Sequence, residues 1–406
     1  MPKTKGPSVA IVGAGAAGLS AALEALRAGA DVTIFEQRPE PARKLRLLGR
    51  GQGVVGRDDA SHESFHGRHA RFVQDALRAF DLDWFKKLKI KLTTDEDGDL
   101  RAPSGQVLVD ALLKALKKAD LRLSTPVSAI RKAKSGFKLT LTDGEFECAR
   151  LVLATGGNHA PQVADGAQGL RLAQGLGHSV EDCSPALVGV RVAQYWPGRL
   201  PGLWMNVDAT LVIDGREAGN CRGLVLFTRN SLTGPGLFGF SREIDTALMA
   251  RKQVEVVLNF YPGMTHEQVA KWQYETFGQY ARQDLASAMD HMLPMRLSLE
   301  MIRLLGLRAD SRVRVFGLRE REAILHQITN TRLTVAATLG SRAALGSRGG
   351  VNVREVDPRT FESKLVPGLF IAGEMLDVDG SSLAVNRQFA FGSGVLAGRN
   401  VIQNPK

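Results

Sequence analysis

The sequence predicts an α/β fold in which one Rossmann-like parallel sheet is assembled from both ends of the chain, with β-rich and helical stretches inserted between. Three observations carry that expectation. Near the start, Ser8-Val-Ala-Ile-Val12 runs into Gly13-Ala-Gly15-Ala-Ala-Gly18, then a helical pattern to Ala28, then Asp31-Val-Thr-Ile-Phe35 and Glu36. Two more continuous apolar strands, Leu151–Ala154 and Gly368-Leu-Phe-Ile-Ala372, each run into a glycine turn. From about Val188 the pattern changes to short alternating strands and then to a mostly helical run.

The first stretch reads as strand, tight turn, helix and strand. Gly13 permits the sharp turn, Gly15 lets backbone approach a pyrophosphate, and Gly18 lets the helix pack close on the strand. Leu19, Ala22, Leu23 and Leu26 recur at helical spacing, and Gly29 stops the helix. Gly13, Ala14, Gly15, Ala16, Ala17 and Gly18 are therefore candidates to hold a diphosphate at a helix amino end, where unpaired N–H groups and the macrodipole favour negative charge. Glu36, with Gln37 beside it, ends the second strand where a carboxylate can accept hydrogen bonds from ribose hydroxyls. The same glycine spacing recurs at Gly51–Gly56 and Gly234–Gly239. Neither copy has strand, helix, strand and acid in order, so neither is expected to bind a dinucleotide.

Beyond Glu36 a basic, glycine-rich loop runs from Arg43-Lys44 to Arg57. A helical pattern spans about Ser61 to Phe80. Ser104 reads as the N-cap of a helix that buries Val107, Leu108, Ala111, Leu112 and Leu116. Leu121 to Ile130 is strand-like, with Pro126 marking an edge or bend. Phe137–Thr142, Asp143-Gly144 and Glu145–Cys148 form a hairpin signal ahead of the 151–154 strand and its Thr155-Gly156-Gly157 turn. Strands are expected at Val188–Val192, Met205–Ile213, Leu224–Thr228, Val254–Phe260 and Arg332–Ala337, and helices over most of Thr265–Gln327. A last strand, the Gly373-Glu374 turn and a helix from about Ala384 complete the chain. The expected division is one domain from 7–187 with 341–402, a β-rich substrate domain from 188–262 with 329–340, and a helical domain over 263–328.

Composition narrows the function classes. The 406 residues are enough for two or three domains. A net charge of +11 suits anionic partners such as nucleotides, but no basic block carries interleaved aromatics, so nucleic acid is not implied. Cys148, Cys183 and Cys221 are far apart and form no C-x-x-C, which argues against a disulfide relay or zinc ribbon and fits a reducing, cytoplasmic setting. Lys3 and Lys5 before an uncharged run resemble a signal peptide, but that run is broken by glycines and doubles as the nucleotide motif. No segment reaches the length of a membrane span.

Several of these residues together resemble one family. Gly13–Gly18 with Glu36, Arg43-Lys44-Leu45, Leu153-Ala-Thr-Gly-Gly157, Ser184-Pro-Ala-Leu-Val188, Leu293-Pro-Met-Arg-Leu297, Gly349-Gly-Val351 and the long run Glu355 to Gly380 are similar to the BaiN-like (YhiN-type) flavoproteins. The resemblance covers nearly the whole chain. It implies a non-covalent FAD domain built from both chain ends, a β-barrel-like domain, a helical domain, and NAD(P)H as transient electron donor. It further implies that Arg43 and Lys44 neutralise phosphate charge, that Val127 meets the adenine, and that Thr155, Gly156, Gly373 and Glu374 lie along the cofactor. The helix entered near Ala384 to Asn386 would point its positive end at the flavin. Three stretches depart from the family pattern: Gly49-Arg-Gly-Gln-Gly53-Val54, Ser382-Leu-Ala-Val-Asn386 and Thr228–Pro235. Each places side chains where the family has glycine or other residues.

Other motifs have plainer readings. His62-Glu63-Ser-Phe-His66 matches H-E-x-x-H, but no third ligand motif follows and Gly67 weakens the helix, so no metal site is expected. His159 reads as a surface-loop histidine, with a flavin-side acid as the alternative. His178 reads as helix-end punctuation, and Trp196 and Trp204 as core or substrate entrance. No catalytic residue is named, because a flavin accepts hydride itself. The expected activity is an FAD-dependent oxidoreductase that uses NAD(P)H to reduce an activated C=C bond of a small apolar substrate. An amine oxidase producing peroxide, a silent FAD or nucleotide binder and a zinc hydrolase through His62 and His66 are the alternatives.

Overall fold

A computed structural model of the protein describes residues 6–47, 52–66, 69–159 and 166–403. Lys3, Lys5, Gly49 to Gly51 and Gly67, which entered the sequence argument, lie outside these residues. The chain divides into two compact units, one formed by 1–186 with 341–406 and the other by 187–340.

The first unit is organised on a five-stranded parallel sheet in the order Leu369–Ile371, Arg150–Leu153, Ser8–Val12, Asp31–Phe35, Asp120–Arg122. Ile11 pairs with both Val152 and Ile34, so the apolar runs seen in the sequence lie side by side at the sheet centre. Such runs suit a parallel sheet buried on both faces. The strand from the far end of the chain, Leu369–Ile371, is the edge next to Arg150–Leu153.

Helix Ala16–Arg27 follows the first strand and ends at Ala28, with Gly29 at φ +94° and its N–H donating to the Leu26 carbonyl. The long carboxy-terminal helix, Leu383–Asn400, begins at the Ser382 cap, whose hydroxyl accepts the Val385 N–H. These two helices run parallel in close contact. A Cβ on Gly394 would stand 2.2 Å from the Ala17 carbonyl oxygen, and one on Gly398 2.3 Å from that of Ala21. Beside this seam Glu24 accepts hydrogen bonds from Trp84 Nε1 (2.9 Å) and Arg399 Nε (2.8 Å), tying three segments together.

The second unit carries a closed six-stranded barrel in the order Val190–Val192, Leu232–Thr233, Arg216–Phe227, Trp204–Ile213, Val254–Asn259, Thr331–Thr338. The helices within 263–328 share one hydrophobic core with the barrel: Val256 and Leu258 lie with Phe277, Met289, Met301 and Ile328. The third glycine repeat sits here. Gly234 packs on the Leu224 carbonyl, and Pro235–Phe238 is a single helical turn against the barrel.

Three local expectations are corrected. Residues 61–80 do not form one helix: His62–Ser64 is a 3₁₀ turn, Phe65–His66 a short strand paired with Asp379–Gly380, and Gln74–Ala79 the α-helix. Ser61 and Ser64 cap the turn reciprocally, and the chain then extends. Leu121–Ile130 is broken as Pro126 would break it, into Asp120–Arg122 and Ala129–Ala133. In helix Gly105–Ala115 the buried face is Leu108, Val109 and Leu112, while Val107 points outward.

Candidate active site

A single strand-to-helix turn organises the site. Gly13 has φ +105°, a conformation that suits glycine, and its N–H donates to the Phe35 carbonyl at 2.8 Å. A Cβ on Gly18 would stand 1.8 Å from the Gly13 carbonyl oxygen, whereas one on Gly15 would meet no atom within 4 Å. The turn is therefore packed on its inner side and open on its outer side. The leading N–H groups of the helix face that opening with no helical acceptor.

The opening is a cavity within the first unit, with about 1210 Å³ of empty space, part of it open to solvent. The residues closing the strands, Val12, Phe35 and Ala154, form its base, the usual place for ligands on a parallel sheet. Of the residues singled out from the sequence, Gly13, Gly15, Ala16, Ala17, Glu36, Gln37, Arg43, Lys44, Val127, Thr155, Gly156, Gly373, Glu374 and Asn386 all line it. Ala14 and Gly18 lie behind the wall: the Ala14 N–H donates to Glu36 Oε2 at 2.9 Å, and Gly18 is closed off by Gly13.

The side chains are held by identifiable contacts. Glu36 accepts from the Ala14 N–H and, at 2.9 Å, from the Arg38 N–H. A carboxylate has about four acceptor positions, so lone pairs remain for two hydroxyls of a sugar. Ala42 sits at φ +53°, fixed by its N–H to the Ala14 carbonyl, and this starts the short helix Arg43–Leu47 at the cavity wall. Lys44 Nζ pairs with Glu374 Oε2 at 2.6 Å, and Glu374 Oε1 accepts the Ser347 N–H. The Lys44 charge is thus engaged by a carboxylate, which leaves Arg43 as the cation better placed to meet phosphate.

Among the buried polar atoms of the wall that lack a hydrogen-bond partner are Arg43 Nε and Asn386 Nδ2. Asn386 Oδ1 is used by the Gly380 N–H at 2.6 Å, so the amide donor is turned away from that contact. Buried unpaired donors are costly, and a ligand rich in acceptors offsets that cost. Open space over Gly15, spare acceptor capacity on Glu36 and two orphaned donors fit a diphosphate, a ribose and a polar ring edge. FAD carries all three.

Reasoning from sequence missed Arg387. Its guanidinium is buried, donating to the Val54 carbonyl at 2.7 Å and the Lys44 carbonyl at 2.8 Å, so it ties the Arg43–Leu47 helix and the strand beginning at Val54 to the carboxy-terminal helix. Burial pushes it down to about 10, which leaves it charged at neutral pH at the cavity wall. A signal existed: Arg387 and Arg399 are the only charged residues of that helix. Gln168 and Leu172, also in the wall, carried no such signal.

The remaining candidates fall elsewhere. His62 and His66 do not share a helix face, so the spacing loses its meaning as a zinc motif. His159 is buried rather than on a surface loop, with its N–H donating to Ser347 Oγ at 3.2 Å. His178 is not mere punctuation: Nδ1 lies 2.9 Å from Glu355 Oε2 and Nε2 2.8 Å from Ser363 Oγ, in the interior. Gly177 at φ +95° ends the helix there. Trp196 belongs to the barrel core, and Trp204 is partly exposed. Cys148, Cys183 and Cys221 are free thiols, and burial raises Cys148 to about 12, out of range for reactivity at neutral pH. Among the described residues no helix is long and apolar enough to cross a membrane.

The chain is similar to several known proteins. The HI0933-like protein Rossmann domain matches residues 7–400. A 3-dehydro-bile acid delta(4,6)-reductase of Clostridium scindens is 26% identical over 98% of this chain and 99% of its own. A ribosomal RNA dihydrouridine synthase of Escherichia coli is 27% identical over 97% of both. Among solved structures, the 3-ketosteroid-delta4-(5alpha)-dehydrogenase of Rhodococcus jostii RHA1 shares the fold, with a TM-score of 0.50, 15% identity and 99% of both chains covered.

Proposed function

The chain belongs to the HI0933-like family, and from that membership we propose that it is an FAD-dependent oxidoreductase that takes electrons from NAD(P)H and saturates an activated C=C bond in a small, mostly apolar substrate. The observation that carries this reading is the cavity wall. The amide-rich start of helix Ala16–Arg27, the Glu36 carboxylate, and the orphaned donors Arg43 Nε and Asn386 Nδ2 converge on one space. Bound there non-covalently, FAD supplies two-electron exchange with carbon centres.

The protein's own part is binding and electrostatics. Gly13, Gly15, Ala16, Ala17 and Arg43 would hold the diphosphate, and Glu36 would take the ribose hydroxyls. Asn386 offers an amide donor, and the amino end of Leu383–Asn400 together with the buried Arg387 cation favours negative charge developing at the ring system. No side-chain nucleophile is required.

The two curated relatives favour reduction of a double bond as the reaction. One is named for reducing delta(4,6) bonds of a 3-dehydro-bile acid, the other for making dihydrouridine, a uracil ring saturated beside its carbonyl. The second name, with the net charge of +11, supports a further reading in which the conjugated bond belongs to a uracil of an RNA.

The spectrum of the purified protein tests the proposal. The protein should be yellow, lose its visible absorbance when NADPH or NADH is added without air, and recover it when a conjugated ketone such as cyclohexenone is supplied. Peroxide formed with an amine would favour an oxidase instead. Yellow protein inert to every donor would mark a silent binder, and protein that never takes up FAD would end the proposal.

A further inference from the structure

Charge in the second unit is distributed unevenly. Between Arg296 and Arg321 there are seven arginines, no lysines and three carboxylates. In the rest of that unit, eleven basic residues face eleven acidic ones. The whole net positive charge of the unit therefore lies in this one segment, which comprises helix Met295–Leu304, a turn, the 3₁₀ turn Val313–Val315 and the start of helix Leu318–Thr329.

Arg296, Arg303, Arg308, Arg312, Arg314 and Arg319 are all exposed. Some are engaged: Arg303 pairs with Glu300 at 2.8 Å and Arg308 with Asp310 at 2.8 Å, while Arg296 donates to main-chain carbonyls. The side chains of Arg314 and Arg319 make no hydrogen bond or ion pair among the described residues, while the Arg314 N–H donates to the Ala281 carbonyl. They flank the knuckle where the chain enters helix Leu318–Thr329, and between them Val315 is 65% and Leu318 86% exposed. Their Cα atoms are at most ~18 Å apart by chain length, so two long side chains can reach neighbouring phosphates of one strand.

We propose that this arginine surface binds the phosphodiester backbone of RNA. Guanidinium groups bind phosphate oxygens with two parallel N–H donors, and a run of arginine with no lysine is what such recognition favours. Within the run only Val315 and Leu318 are more than half exposed among large apolar side chains, and no exposed aromatic lies there. That is little apolar area for seating in a bilayer interface. The lack of an aromatic platform also means that this surface positions RNA through its backbone and does not read bases. The inference builds on the second reading above but stands on its own measurement.

The test titrates fluorescently labelled polyuridylate into the FAD-loaded protein and follows anisotropy over a salt series. The wild-type protein should bind with a steep salt dependence. The double variant Arg314→Gln/Arg319→Gln should bind roughly tenfold more weakly, with a log–log salt slope shallower by about 1.4, from about 0.7 per lost phosphate contact on a single strand. Its flavin content and its turnover of cyclohexenone should be unchanged, since neither residue belongs to the cofactor cavity. Equal affinity and slope in the double variant would overturn the inference, as would a wild-type protein that ignores polyuridylate. So would binding to phosphatidylserine-containing vesicles that the double variant loses while RNA binding stays. Protein that binds RNA but holds no FAD sinks the oxidoreductase reading alone, and protein bleached by NADPH but blind to RNA sinks this inference alone.

Discussion

A Cβ built on Gly15 meets no atom within 4 Å, whereas one on Gly18 comes within 1.8 Å of the Gly13 carbonyl oxygen. The two glycines of one motif should therefore fail differently when enlarged. Gly15→Glu should fold, with apo stability within about 0.5 kcal/mol of wild type as for substitutions that meet nothing, yet retain no flavin, because its carboxylate enters the space meant for a diphosphate. Gly18→Ala should lower stability by about 1–3 kcal/mol, the range for an overpacked core. Flavin absorbance after purification, with urea melts of the apo forms, separates the two; a yellow Gly15→Glu protein would contradict the assignment of the cavity. Arg43→Gln should weaken FAD binding without unfolding the protein, since Arg43 makes no ion pair among the described residues, and isothermal titration with FAD checks it. Gly13 to Gly18 and Glu36 were legible in the sequence because their spacing is set by local geometry. Arg387 was not, because its partners, Val54 and Lys44 carbonyls, are backbone atoms more than 300 positions away.

Helices Ala16–Arg27 and Leu383–Asn400 approach so closely that Ala17 and Ala21 face Gly394 and Gly398 with no room for a side chain. This seam sets where both amino ends lie, so Gly394→Leu should cost several kcal/mol or prevent folding, and any folded fraction should be colourless. Its glycines are spaced as i, i+4, which the sequence displayed, but nothing local named their partner. A second element-level feature is the link of His178 to Glu355 and Ser363. Ser363 Oγ already accepts the Leu365 and Val366 N–H groups, so its hydroxyl proton goes to His178 Nε2, and Nδ1–H then donates to Glu355. This network fits neutral imidazole. Burial pushes His178 below its ordinary 6.5, only partly offset by Glu355. With the folded-state value depressed, the unfolded chain takes up the proton first as pH falls through 6.5, so stability present at neutral pH declines on acidification. Thermal melts between pH 7.5 and roughly pH 5 should show a falling Tm in wild type and a flatter profile, starting lower, in His178→Gln. Equal slopes would assign the pH dependence to other groups. The regular elements were readable where periodicity is long. Residues 61–80 misled because serine caps at Ser61 and Ser64 favoured a 3₁₀ turn that hydrophobic spacing cannot reveal.

At the scale of the whole chain, two cores form from one sequence, and the cofactor cavity belongs wholly to the first. The sequence changes from long apolar strands to short alternating ones near Val188, while the 263–328 helices, expected as a separate domain, share the barrel's core. Which strands close the barrel depends on pairings such as Val190 with Thr338, set by tertiary contacts rather than local pattern. A ligand stabilises only the state that binds it, so FAD should raise the stability of the first unit by about 2.7 kcal/mol at a hundred times its Kd. The four tryptophans make this separable: Trp84 lies in the first unit, and Trp196, Trp204 and Trp272 lie in the second. In a Trp84→Phe variant, fluorescence reports the second unit alone, while flavin release reports the first. Trp84 donates to buried Glu24, so this variant should lose about 1–3 kcal/mol from the first unit for the missing bond. Added FAD should move the urea midpoint of flavin release upward and leave the tryptophan midpoint where it was. If both midpoints shift together, the two cores unfold as one, and the stabilisation by cofactor is shared across the chain instead of residing where the glycine turn and Glu36 meet.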